Sequence, residues 1–178
     1  MTILFINGSP RRHGNTATLG ERLLRDCPHT TRHLADYRLN FVRDDRETSG
    51  NQRDLSDDYE TLMHQDFAPA SDIVLGTPVY WYDMTGQLKV FMDRWFDSFT
   101  HDFPFADKRL YLLIVGADQP AQKATGITTA VRESCAWLKM DFRGVAIVTA
   151  DGAHDVAARP ILPADCLALR QQFLSVGK

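Results

Sequence analysis

The sequence predicts an α/β protein built on one parallel sheet with helices on both faces. Two observations carry this. Short apolar runs that end in Gly or Pro alternate, from end to end, with stretches whose apolar residues recur at spacings of three and four. The runs are apolar throughout rather than alternating, as strands covered on both faces are. In such sheets ligands sit outside the carboxyl ends of the strands, where the strand order reverses. At 178 residues the chain reads as one domain, 1–178, with a sizeable core.

The first strand is Ile3, Leu4, Phe5 and Ile6, stopped by Asn7, Gly8, Ser9 and Pro10. Gly14 and Asn15 permit a turn and a cap. Ala17, Gly20, Leu23, Leu24 and Cys27 then fall at helical spacing, ending near Pro28. Residues 30–34 form a short second strand with the weakest pattern. Residues 43–58 are polar, with Leu55 the one large apolar residue, and read as a long exposed loop, either solvated or functional. Residues 57–67 read as a helix started by Asp57 and Asp58 and burying Tyr59, Leu62, Met63 and Phe67. The next strand is 73–78, followed by the aromatic loop 79–84. Leu88, Phe91, Met92, Trp95, Phe96 and Phe99 mark one helix with a wide aromatic stripe. Residues 110–115 are a strand closed by Gly116. Ile127, Val131, Cys135 and Leu138 mark a helix, and 145–149 a strand introduced by Gly144. A last helix starts near Pro163 and carries Leu167, Phe173 and Leu174.

Composition removes several function classes. A net charge of −3 and a pI near 6.0 offer no basic field for nucleic acid. The longest clean apolar run, 110–115, is far short of a membrane span. No basic segment followed by a long apolar one opens the chain, so no signal peptide is expected. Cys27, Cys135 and Cys166 are odd in number and scattered, which fits core positions in a reducing cytoplasm. The six histidines lack ligand spacing, so no metal site is expected. No Ser–His–Asp or paired-carboxylate set stands out, and no catalytic side chain is assigned.

Three loops lie at carboxyl strand ends: 8–16, 77–84 and 116–125. The first runs from a strand through a tight loop into a helix, leaving unpaired N–H groups and a positive dipole end at one concavity. Either it is an ordinary turn whose donors face water, or it holds an anion, best a phosphate. Ser9, Asn15 and Thr16 can add side-chain hydrogen bonds, and Arg11 or Arg12 charge. The spacing of Gly8 and Gly14, with no Lys after Gly14, is not that of an NTPase P-loop. The second loop sets Tyr80, Trp81 and Tyr82 beside Pro78. Those rings are core or interface residues, or a platform for a flat conjugated ligand. A phosphate joined to a flat ring system describes a mononucleotide-like cofactor, and FMN is the natural candidate.

Asn7-Gly-Ser-Pro-Arg-Arg-His-Gly-Asn-Thr16 and Gly76-Thr-Pro-Val-Tyr-Trp-Tyr-Asp-Met-Thr-Gly-Gln-Leu-Lys-Val-Phe-Met-Asp-Arg94 together resemble the NADPH-dependent FMN reductase family of flavodoxin-like proteins. The likeness continues, more weakly, through residues 138–152. It implies a flavodoxin-like three-layer α/β/α sandwich with a five-stranded parallel sheet in the order 2-1-3-4-5. It implies that Ser9, Arg11, Asn15, Thr16 and Ala17 hold the FMN phosphate. Pro78, Val79, Tyr80 and Trp81 would line the isoalloxazine, with Gly116 approaching from the third loop. The activity implied is electron transfer from NADPH or NADH through FMN to a small acceptor such as a quinone, azo compound or flavin, with ping-pong kinetics. The alternative is a flavodoxin-type carrier without significant NAD(P)H oxidation. A homodimer is expected, both from the family and from the aromatic surplus on the 88–99 helix. Iron–sulfur relatives carry a cysteine cluster before the second motif; residues 41–53 contain none, so a cluster is excluded. The third loop carries no clear family signature.

Overall fold

The computed structural model describes residues 2–44, 47 and 54–175. Its sheet contains β1 (Ile3–Asn7), β2 (His29–His33), β3 (Asp72–Pro78), β4 (Arg109–Gly116) and β5 (Asp141–Thr149). The strands are all parallel and lie in the order β2-β1-β3-β4-β5, as expected. The helices are α1 (Asn15–Leu23), α2 (Tyr59–Leu62), α3 (Gly86–Asp93), α4 (Trp95–Phe99), α5 (Pro120–Lys123), α6 (Thr125–Trp137), α7 (Asp155–Ala158) and α8 (Ala164–Ser175).

Alternation along the strands divides the core in two. Leu4, Ile6, Ile73, Leu75, Leu110, Leu112 and Ile114 face one side, against Tyr59, Leu88, Phe91, Trp95, Ile127 and Val131. Ile3, Phe5, Val74, Tyr111, Leu113, Val115 and Val148 face the other, against Leu19, Leu23, Val156, Leu169 and Phe173. This is the three-layer sandwich the sequence predicts. β2 reads weakly because it is an edge strand of polar, half-buried residues, His29-Thr-Thr-Arg-His33, paired in register with β1 alone.

Several boundaries differ from expectation, each for a local reason. α1 stops at Leu23, and Asp26 turns the chain with a φ of 72° before β2. β5 begins at Asp141 rather than after Gly144. Leu110 pairs with Phe142 and Tyr111 with Gly144, so Arg143 is an extra residue in a bulge. Gly144 takes a φ of +146° there, which a glycine tolerates. The expected 88–99 helix divides at Arg94 into α3 and α4. Arg94 is buried, paired to Asp57 at 2.7 Å and to Asp97, with its guanidinium 4.5 Å from the Tyr59 ring centroid. Asp57 is thus a buried partner of Arg94 as well as a cap on the Tyr59 N–H.

The aromatic stripe is mostly used inside the protein. Phe67, Phe91, Trp95 and Phe105 meet edge-on or tilted at centroid distances of 5.8–6.2 Å. Phe99 stays 43% exposed, 4.3 Å from the Trp137 ring. Much of the polar 43–58 segment lies outside the described residues. Its flanks are joined: the Arg38 N–H donates to Asp58, the Asn40 N–H to Asp57, each at 2.7 Å. The three cysteines are buried and unpaired. Burial pushes the Cys135 and Cys166 thiols up to about 12, so neither is a thiolate at neutral pH.

α1 lies unusually close to β1 because Gly20 presents no side chain to it. A Cβ built on Gly20 would overlap the Phe5 ring. In a free helix Ala is favoured over Gly by about 1 kcal/mol. Overpacking a closed core costs about 1–3 kcal/mol. Gly20→Ala is therefore expected to lower the urea midpoint despite its better helix propensity. Gly126→Ala in α6, where nothing lies within 4 Å of the added carbon, is expected to raise it. Equal effects in the two variants would contradict this packing.

Candidate functional site

Loops from the carboxyl ends of β1, β3, β4 and β5 meet beside the reversal of strand order between β1 and β3. They enclose a cleft of about 210 Å³ lined by Ser9, Arg11, Asn15 and Thr16, by Pro78, Val79 and Tyr80, by Gly116, and by residues 150–153. That volume is below the 300–1,000 Å³ of closed ligand pockets. It has room for a group the size of a phosphate with a short chain, and is too small to enclose a bulky ring system.

The floor of the cleft is the N-terminus of α1. Gly14 caps it in an extended conformation without a side-chain bond. The first helical bond runs from the Thr18 N–H to the Gly14 carbonyl at 3.0 Å. The amides of Asn15, Thr16 and Ala17 precede it and take no acceptor from the described residues. Asn15 and Thr16 line the cleft, whereas Ala17, also expected at the phosphate, is buried and is not among the lining residues. The helix dipole adds its positive end at the same place. Of the two arginines, Arg12 pairs with Asp36, while Arg11 lines the cleft. The Ser9 hydroxyl accepts from the Arg11 N–H at 3.1 Å, which shapes the loop around the concavity.

A buried polar seam holds the first two loops together. The Gly8 N–H donates to the Gly76 carbonyl at 2.7 Å, and the Thr85 hydroxyl to the Gly8 carbonyl at 2.6 Å. Thr85 also caps α3 by accepting the Leu88 N–H, and its own N–H donates to the Thr77 hydroxyl. A Cβ on Gly8 would lie 2.9 Å from Leu88 Cβ and 3.0 Å from the Gly76 oxygen, so the contact requires glycine. Asn7 Oδ1 accepts the Ser9 N–H at 3.0 Å, and its amide nitrogen meets His33 Nδ1 at 2.9 Å. The Ser9 bond fixes which way the amide points, so His33 Nδ1 must be the acceptor.

Asn7, Thr77 and Thr85 escape sequence reasoning, as do residues 150–153. The signals present were slight: a threonine ahead of a helical pattern, and Asp155 after Asp151-Gly152. Asp155 accepts from the Asp151 and Gly152 amides at 2.9 and 2.7 Å, and these N–H groups hold its carboxyl below the usual carboxylate range. Asn15, expected at a phosphate, bridges to this loop instead. Its Nδ2 donates to the Gly152 carbonyl at 2.7 Å and its Oδ1 accepts the Val156 N–H at 3.1 Å. Its backbone amide still faces the cleft.

The aromatic loop is a two-residue hairpin. Tyr80 and Asp83 exchange backbone bonds of 2.9 and 3.1 Å, and the central Trp81 and Tyr82 take φ of 50° and 66°. Turns of this hand favour Asn-Gly, and each larger residue costs about 1–2 kcal/mol there. Pro78, Val79 and Tyr80 line the cleft, but Trp81 does not. Trp81 is 94% exposed and heads a neighbouring hollow. Gly116 is required where it stands, because a Cβ would come within 2.8 Å of Val79 Cγ2.

The cleft lies at the strand-order reversal, between the start of α1 and the aromatic loop, where folds of this class bind their ligands. The chain belongs to the NADPH-dependent FMN reductase family, whose description matches residues 1–155. A Bacillus subtilis relative, YwqN, named as an NAD(P)H-dependent FMN-containing oxidoreductase, is 28% identical over 163 residues, 88% of this chain and 89% of its own. Among solved structures, the Trp repressor binding protein of Bacillus subtilis superimposes with a TM-score of 0.74 at 24% identity, covering 95% of this chain and 97% of that one. An FMN-dependent NADH-azoreductase from Bacillus anthracis, in complex with FMN, superimposes with a TM-score of 0.69 at 10% identity over 100% of both chains.

The Asn15 bridge is testable without any ligand. Its two bonds are worth about 1–3 kcal/mol together. Asn15→Ala is expected to destabilise by that amount and to speed exchange of the Val156 amide hydrogen well beyond the global effect. A Val156 amide as slow as in the parent would contradict the bridge.

Proposed function

We propose that the cleft binds FMN and that residues 1–178 work as one domain oxidising NADPH or NADH for a small acceptor such as a quinone, an azo compound or a flavin. One observation carries this reading: Asn15 and Thr16, whose amides take no acceptor from the described residues, line a cleft whose opposite wall is Pro78, Val79 and Tyr80. The residues suit the group. The amides and Arg11 meet the phosphate, with the Thr16 hydroxyl beside them. The peptide groups of Pro78, Val79 and Tyr80 and of Gly116 border the ring. Ser9 shapes the first loop, and the loop at 150–153 closes the phosphate end through Asn15.

Bound there, FMN supplies the redox chemistry, accepting two electrons from a reduced nicotinamide and passing them on. The protein binds, orients and shields. Thr85 and Gly8 fix the distance between phosphate loop and ring loop. Val79, held by its N–H on the Val115 carbonyl at 2.8 Å, keeps the inner side dry. The outer side stays open to solvent, so donor and acceptor use one place in turn, which predicts ping-pong kinetics.

We also propose a homodimer in the cytoplasm. The exposed pair Phe99 and Trp137 supports an interface, and three buried free thiols suit a reducing compartment.

Anaerobic stopped-flow mixing of the yellow protein with NADH or NADPH tests the reading. Bleaching faster than about 1 s⁻¹ with at least one nucleotide is expected, since that is the low end of ordinary turnover. Slower bleaching with both, at saturation, would overturn it in favour of an electron carrier.

A further inference from the structure

Beside the cleft lies a second hollow of about 210 Å³, between the hairpin at 80–83 and the turn that leads into α5. It shares Val79 and Ala117 with the cleft, so a molecule reaching outward from the ring end enters it directly. Its two walls have the same unusual construction. Trp81 and Tyr82 stand on left-handed backbone on one side, Asp118 and Gln119, with φ of 53° and 59°, on the other. Four of the eight non-glycine residues with positive φ among the described residues thus flank this one place, and such strain concentrates where a ligand is held. The hairpin carries its rings outward: Trp81 is 94% and Tyr82 56% exposed. Neither ring lines the cleft. Lys123 lies across the hollow, its ammonium 2.6 Å from Asp118, both side chains substantially exposed. An exposed pair of this kind is weak, and an incoming anion can take Asp118's place.

Resting on the reading above, we propose that this hollow is the subsite for the distal part of the reacting partner, a planar aromatic group bearing a negative charge. Trp81 and Tyr82 stack on the ring and Lys123 pairs with the charge, so all three are specificity-determining positions. Two sources have this chemistry: the adenine and phosphates of the nucleotide donor, or an aryl carboxylate acceptor. The ping-pong cycle separates them, because each half-reaction is measured alone.

The variants are Trp81→Gly, which removes the ring and suits the left-handed turn, and Lys123→Gln. FMN affinity is expected within twofold of the parent in both. Trp81→Gly is expected to raise the half-saturation concentration at least tenfold in one half-reaction. A rise for NADPH or NADH in the reductive half identifies the nucleotide. A rise for a carboxylated azobenzene in the oxidative half identifies the aryl acceptor. Lys123→Gln is expected to raise it for the charged probe and leave neutral benzoquinone unchanged. Parent-like constants in both halves would overturn the proposal. So would a tenfold loss of FMN, which would put Trp81 on the flavin, or a shift from dimer to monomer with parent-like constants, which would make Trp81 an interface residue. Calorimetric titration of the oxidised protein with the carboxylated azobenzene and with NADP⁺ needs no turnover. Binding of either that Trp81→Gly weakens tenfold supports the subsite even where electron transfer fails. Binding of neither, or binding that Trp81→Gly leaves unchanged, overturns it.

Discussion

The amides of Asn15, Thr16 and Ala17 have no acceptor among the described residues, and they begin a helix pressed onto a sheet. A buried donor without an acceptor costs about 1–3 kcal/mol, and two of these residues, Asn15 and Thr16, line one concavity. Much of the nearby structure serves to keep them there. Gly20 lets α1 lie on the Phe5 ring, and Gly76 lets Thr16 approach the strand below, since a Cβ there would sit 2.9 Å from Thr16 Cγ2. Asn7, Gly8 and Thr85 tie the preceding loop to β3 and α3. Asn15 uses its side chain on the fifth loop and leaves only its amide for a ligand. The site is an arrangement of backbone groups, and the side chains around it mainly hold that backbone still.

Stability is anchored elsewhere. At the opposite end of the sheet Asp72 is buried against Arg109, with bonds of 2.7 and 2.6 Å, and takes the Ser71 hydroxyl at 2.7 Å. Burial alone would raise its carboxyl, but these partners bring it below the usual range. Its contribution is therefore present above the ordinary carboxylate pKa and is lost as pH falls through the depressed one. Lys108 caps the Ala68 and Ala70 carbonyls at 2.7 and 2.8 Å. Arg94 joins both flanks of the polar segment through Asp57, Asn40 and Asp54. These charges are all paired or capping and none lines the cleft. The cleft keeps donors without acceptors, as a binding site must.

Much of this was legible in the sequence. The parallel sheet and its strand order followed from apolar runs, turn residues and the two family-like motifs, because parallel strands buried on both faces leave a strong local signal. Departures arose where a distant contact overrode local pattern. Arg94 sits at a helical position in an aromatic stripe, and besides Asp97 its partners come from 37 to 54 residues away, at Asp57, Asp54 and Asn40. The bulge at Arg143 needs the register with β4. Asn15 looks like a phosphate ligand because it begins a helix, yet its side chain meets Gly152 and Val156, which no local window contains. The resemblance places Trp81 at the isoalloxazine; in the structure it stands 94% exposed outside the cleft, on a left-handed turn with no Gly or Asn to announce it.

The central claim is that the backbone of α1's first turn binds the cofactor by its phosphate. Equilibrium titration of the apoprotein with FMN and with riboflavin, which lacks the phosphate, measures this most directly. Charge-assisted bonds from the Asn15 and Thr16 amides are worth about 1.5–3 kcal/mol each before losses elsewhere. The account predicts that riboflavin binds at least about 100-fold more weakly, a difference of about 2.8 kcal/mol. Equal affinity for the two would contradict it.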